Sequence, residues 1–210
     1  MRLPEGFYTV TGAALILGGL LTALINIFLT PQLDFGSSYT MVEGSPLFLM
    51  RLILAGIAAL LVLVGCTGLY ARQAEETGVF GLIAFLLTFV GMAALFANEW
   101  TSVFTVHEIA LSVPEALEAL EESALFDAGA IVALGLSVLG WLALAGVTWR
   151  AGVLPRWAAV SVIAGFIAVM VLPAVIGVWG AAPANTVLGA GWMGLGWNVA
   201  RGAGSADVDS

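Results

Sequence analysis

Charge is missing from this chain over long intervals. No Asp, Glu, Lys or Arg occurs between Glu5 and Asp34, Arg51 and Arg72, Glu76 and Glu99, Asp127 and Arg150, or Arg156 and Arg201. A helix needs about 20 residues, at about 1.5 Å each, to cross a hydrocarbon core. Six apolar stretches are of that order, at about 8–30, 49–71, 78–98, 126–149, 156–180 and 184–200, the last being the shortest and rich in Gly and Trp. With 10% charged residues and a mean hydropathy of +1.07, the chain has too little polar surface to clothe a water-soluble globule, whose charged share is typically about 25%. The expected fold is therefore all-α, a polytopic transmembrane helical bundle of six spans forming one integral membrane domain over 1–210.

Arginine placement sets the expected orientation, because cytoplasmic flanks retain Lys and Arg. With the amino terminus inside, Arg2, Arg72, Arg150, Arg156 and Arg201 are cytoplasmic, and Arg51, at the start of helix two, is exported. An even number of spans then predicts both termini in the cytoplasm and a disordered tail over about 202–210. Asp34, Glu43, Glu99, Glu108, Glu115, Glu118, Glu121, Glu122 and Asp127 fall on the exported side, so the formal charge of −8 is expected on the outer face. Such a face concentrates cations.

Residue counts remove several chemistries. There is no lysine, so no Schiff base to retinal or pyridoxal phosphate can form. One histidine, His107, and one cysteine, Cys66, exclude bis-histidine haem, thiolate iron–sulfur clusters and a Cys/His zinc site built from one chain. No cofactor is expected, bound lipid is an expected companion, and nucleic acid is not among the expected partners.

The third loop carries Ser112-Val-Pro-Glu115, a capping-box pattern with proline near the first turn. Val113, Leu117, Leu120 and Ala124 then recur at helical spacing among acidic residues, which predicts a short amphipathic helix over about 113–125.

Three groups of residues are candidates for function. Glu99, His107 and Glu108 follow helix three, and a turn near Thr101 or Ser102 would make a carboxylate–imidazole pair for proton or metal chemistry. Asn26, Asn198, Trp192 and Trp197 are polar or aromatic groups inside spans, suited to line a pocket for a flat or lipid-like ligand. Thr186, Ala190, Gly194 and Asn198 repeat every four residues on helix six, and Gly12 and Gly19 face one way on helix one; such small-residue faces let helices pack closely.

Residues 68–95, GLYARQAEETGVFGLIAFLLTFVGMAAL, resemble a segment of small, uncharacterised multispanning proteins of bacteria and archaea, with a GLYARQ-like hairpin between two apolar helices. The resemblance implies a prokaryotic cytoplasmic-membrane protein and carries over no functional residue. Three functions stay open. The first is a non-enzymatic structural or accessory subunit, in a homo-oligomer or a larger membrane complex. The second is a carrier or binder of a small molecule or lipid inside the bundle. The third is an outer-face metal- or proton-dependent enzyme.

Overall fold

The computed structural model describes residues 4–33, 42, 44–121 and 123–201. The tail 202–210, Asp34, Glu43 and Glu122 lie outside the described residues, as do the side chains of Glu118, Glu121 and Asp127. Every element among the described residues is helical. Helix α1 (Glu5–Leu24) runs on through a π-helical turn, Ile25–Leu29, and a 3-10 turn, Thr30–Gln32. Helix α2 (Pro46–Thr101) continues through a second π-helical turn, Ser102–Val106, into α3 (His107–Ser112). Then come α4 (Pro114–Glu121), α5 (Ala124–Ala151), α6 (Arg156–Ile176), a 3-10 turn (Gly177–Gly180) and α7 (Ala181–Arg201).

Four helical runs are long and apolar enough to cross a membrane: Glu5–Gln32, Pro46–Ser112, Ala128–Ala151 and Arg156–Arg201. This differs from the six separate stretches expected, because 49–71 runs into 78–98, and 156–180 into 184–200, without a non-helical loop. Straight, the 67-residue run would be about 100 Å long. It is not straight. Gly78 sits at φ 54°, ψ −141°, a conformation that glycine adopts at little cost and that ends the helical path. Beyond it the chain doubles back: Tyr70 and Phe85 stack with ring centroids 4.7 Å apart, and a Cβ on Gly56 would lie 3.7 Å from the Glu99 Cβ. The arms 46–77 (α2a) and 79–101 (α2b) are thus antiparallel. Gly177, at φ 65°, ψ −153°, reverses the chain in the same way. A Cβ on Gly165 would meet Leu188 at 2.6 Å, and one on Gly191 would meet Val162 at 2.8 Å, so α6 and α7 are also antiparallel neighbours.

The remaining contacts close a ring. Gly18 faces Val62, and Gly65 faces Leu15, which joins α1 to α2a; Gly140 faces Thr88, which joins α2b to α5. Residues 152–155 turn α5 into α6. The left-handed Gly152 donates its N–H to the Thr148 carbonyl at 3.2 Å and caps α5 there. Finally α7 returns to α1: a Cβ on Gly12 would stand 2.6 Å from the Gly196 carbonyl oxygen, and one on Gly196 would stand 2.6 Å from that of Gly12. Gly19 and Gly189 repeat this reciprocal fit two turns away. Backbone meets backbone at both levels, which any larger side chain would prevent.

The order round the ring is α1, α2a, α2b, α5, α6, α7, each antiparallel to its neighbours. Glu5, Arg72, Arg150, Arg156 and Arg201 therefore lie at one end of the bundle, hereafter the Arg201 end, and Arg51 lies at the other. The Arg72 guanidinium sits 5.8 Å from the Tyr8 ring centroid at the Arg201 end. Leu15, Val62, Leu69, Trp141, Leu144, Val162 and Leu195 fill the interior, whereas Leu17, Ile53, Phe80, Ile83, Leu139 and Ile167 face outward and exposed.

One local expectation is corrected. The amphipathic helix starts at Pro114, not at a Ser112 cap: proline drives Val113 out of helical geometry, to φ −145°, ψ 68°, and Ser112 closes α3 instead. Most hydroxyls and amides on the apolar arms bond within their own helix rather than across helices. Thr11 donates to the Phe7 carbonyl, Thr22 to Gly18, Thr88 to Ala84, Thr186 to Ala182 and Asn198 to Gly194, at 2.7–2.9 Å. Ser137 does reach across, to Met92 Sδ at 3.2 Å.

Candidate functional site

All six arms contribute wall to one cavity of about 250 Å³ towards the Arg51 end. The stripes that line it follow helical spacing, with Thr22, Ile25 and Asn26 on the first run, Arg51, Ala55, Ala58, Ala59 and Val62 on α2a, and Met92, Leu95 and Glu99 on α2b. Ser137, Phe166, Asn185, Leu188 and Trp192 complete it from α5, α6 and α7.

A chain of hydrogen bonds holds the arginine. Arg51 Nε donates to the Thr30 hydroxyl at 3.2 Å, Thr30 donates to Asn26 Oδ1 at 3.1 Å, and Asn26 Nδ2 donates to the Thr22 carbonyl at 2.9 Å. The π-helical turn Ile25–Leu29 lies within this chain, between Thr22 and Thr30. Arg51 and Glu99 both line the cavity. Two wall groups have buried polar atoms without a hydrogen-bond partner: Glu99 Oε2 and Trp192 Nε1. Trp192 is 4% exposed, its indole tilted against Trp141 at 5.3 Å and edge-on to Phe166 at 6.0 Å. The Trp141 indole N–H is likewise buried without a partner. Leaving such groups unpaired costs on the order of 1–3 kcal/mol each. Native proteins pair the large majority of them with protein, water or ligand.

Of the residues proposed for a pocket, Asn26 and Trp192 are in the cavity wall and Asn198 and Trp197 are not. Trp197 is half exposed at the opposite end, where the Arg201 guanidinium lies 4.4 Å from its ring centroid. On the α7 stripe proposed for packing, Gly194 is buried against the Trp157 indole and Ala158, Ala190 is partly buried and Thr186 is exposed. The backbone-to-backbone approaches to α1 are made by Gly189 and Gly196, on a neighbouring face.

Glu99, His107 and Glu108 stay in line along one helical run, since the π-helical turn carries the helix onward without a reversal. Eight helical positions put the Glu99 and His107 backbones about 12 Å apart. His107 is buried, Glu108 is exposed, and Glu99 belongs to the cavity. Among the described residues, no three His, Cys, Asp or Glu side chains are grouped to hold a metal ion.

Sequence reasoning placed Arg51 at the exported start of helix two without assigning it to a site, and passed over Asn185. A signal was present. Asn185, Leu188 and Trp192 form a stripe that is polar at one end, as do Arg51, Ala55 and Ala58. Compared with known protein families, with curated proteins and with solved structures, the chain matches none.

Proposed function

We propose that the protein is a six-crossing protein of the cell membrane, with both termini in the cytoplasm, that binds a small amphipathic molecule in the cavity between its arms. The observation that carries this reading is the convergence of six arms on one cavity of about 250 Å³, apolar along most of its wall and polar where Thr22, Asn26, Arg51, Glu99 and Asn185 line it. Apolar cavities with a few convergent polar groups are the usual form of small-molecule sites.

The reversals at Gly78 and Gly177 support six crossings, by dividing each of two long runs into a pair of antiparallel arms. Arg72, Arg150, Arg156 and Arg201 lie at one end of the bundle and Arg51 at the other, which supports a cytoplasmic position for the Arg201 end. The outward-facing Leu17, Ile53, Phe80, Ile83 and Ile167 suit contact with lipid. The small-residue face of Gly12 and Gly19 packs within the chain, against Gly196 and Gly189.

The test is native mass spectrometry of protein extracted in mild detergent, beside an Ala55→Trp variant that fills the cavity. The wild type should carry one small molecule per chain and the variant none, with both running as the same monodisperse particle. The same adducts on both proteins, or none on the wild type, would count against the reading.

A further inference from the structure

The contacts between α1 and α7 set the register of the cavity wall. Gly12 meets Gly196 and Gly19 meets Gly189, so residue 185 stands level with residue 23, one step from Thr22. Asn185 and Thr22 therefore line the cavity at one height, with Asn26 a turn nearer the mouth. Leu188 is about one turn further in, and Met92 and Phe166 add to the apolar wall.

The hydrogen bonds at this height leave an acceptor over. Thr22 gives its hydroxyl proton to the Gly18 carbonyl and Asn185 donates Nδ2 to the Ala181 carbonyl, both at 2.9 Å. Asn26 Oδ1 is taken by Thr30, and Ser137 gives its proton to Met92 Sδ. Among the described residues no donor reaches Asn185 Oδ1. Asn185 is only partly buried, and its oxygen, unlike Glu99 Oε2, is not sealed away. A molecule in the cavity has access to it.

Charge narrows the choice of donor. An anion would need the Arg51 guanidinium, which Thr30 and a further interaction already engage. A cation would face that same guanidinium in a mostly apolar wall, where like charges repel more strongly than in water. An uncharged O–H meets neither cost, and it brings one proton for one open oxygen.

Resting on the reading of the cavity as a ligand site, we infer that the ligand is an uncharged amphiphile with a hydroxyl at its polar end. The hydroxyl donates to Asn185 Oδ1, and the apolar part runs inward past Leu188, Met92 and Phe166. A neutral glyceride of the membrane and a free aliphatic alcohol share this chemistry.

The experiment follows thermal unfolding of the full-length protein in amine-oxide micelles, which carry no hydroxyl, as each compound is added. Ala55→Trp is the blank for partitioning into the micelle. Octanol should bind the wild type at least about tenfold more tightly than heptyl methyl ether, its isomer without an O–H, and than octylamine or octanoate. Asn185→Leu should bring octanol down to the level of the ether while leaving ether binding in place. Monooctanoylglycerol, run beside octanol, distinguishes a glyceride from a free alcohol by which of the two binds more tightly. Equal binding of octanol and the ether, tightest binding of octylamine or octanoate, or a preference that survives Asn185→Leu overturns the hydroxyl assignment and leaves the cavity reading standing. A wild type that carries a resident molecule and takes up no titrant also overturns the hydroxyl assignment alone. If no titrant binds and the mass-spectrometric comparison with Ala55→Trp shows no resident molecule, both fall together.

Discussion

The Gln73 side-chain amide donates to the Thr148 hydroxyl across 2.9 Å, joining α2a to α5 near the Arg201 end. Thr148 in turn donates to the Leu144 carbonyl at 2.7 Å. Both side chains are buried, and Gln73 Oε1 has no partner. The two residues are unequal, since Thr148 keeps its bond to Leu144 when Gln73 is replaced, whereas Gln73 loses its bond when Thr148 is replaced.

Thr148→Val should therefore destabilise the fold by about 1–3 kcal/mol, the cost of a buried amide left unpaired. Gln73→Leu should cost less than about 1 kcal/mol, because it also removes the orphaned oxygen. Combining the two should recover most of the loss. Reversible unfolding in mixed micelles measures all three, and equal losses for the two single variants would contradict the assignment.

The contact between Gly12 and Gly196 makes a second prediction. Gly196→Val places carbon where the Gly12 carbonyl oxygen stands, 2.6 Å from the built Cβ, and neither backbone can yield without parting α1 from α7. A loss of at least about 2 kcal/mol is expected, as for overpacking of a tight core. Gly135 has nothing within 4 Å of its built Cβ, so Gly135→Ala should be neutral or should stabilise by about 0.5–1 kcal/mol through helix propensity. Thermal unfolding of the two variants side by side separates a packing effect from a general intolerance of substitution.

Topology can be read with single cysteines, since Cys66 is buried and gives a quiet background. A membrane-impermeant maleimide on intact cells should label Gln32→Cys and Val113→Cys, both exposed and near the Arg51 end. It should leave Glu76→Cys and Val153→Cys, at the Arg201 end, unlabelled until the membrane is opened. Labelling of Glu76→Cys in intact cells would reverse the assignment of sides, and labelling of one of the second pair alone would break the even count of crossings.

The helical class, the approximate extent of each arm and the small-residue contact of Gly12 and Gly19 could be read before any coordinates, because charge-free length and glycine spacing are local properties. The faces could not. In a lipid-solvated bundle both the interior and the exterior are apolar, so periodicity does not say which side of a helix turns inward. Trp192 and Trp197 illustrate this, lying about 140° apart around α7, one buried in the cavity wall and the other half exposed beside Arg201. The continuity of Pro46–Ser112 was equally hidden, since the break rests on one glycine, Gly78, amid residues of ordinary helical propensity.

An experimental density map of the protein in lipid nanodiscs tests the central claim most directly. The account predicts a discrete feature inside the cavity, between Asn26, Ala55, Ala58 and Leu188. A collapsed interior with no space between Arg51 and Val62 would contradict it.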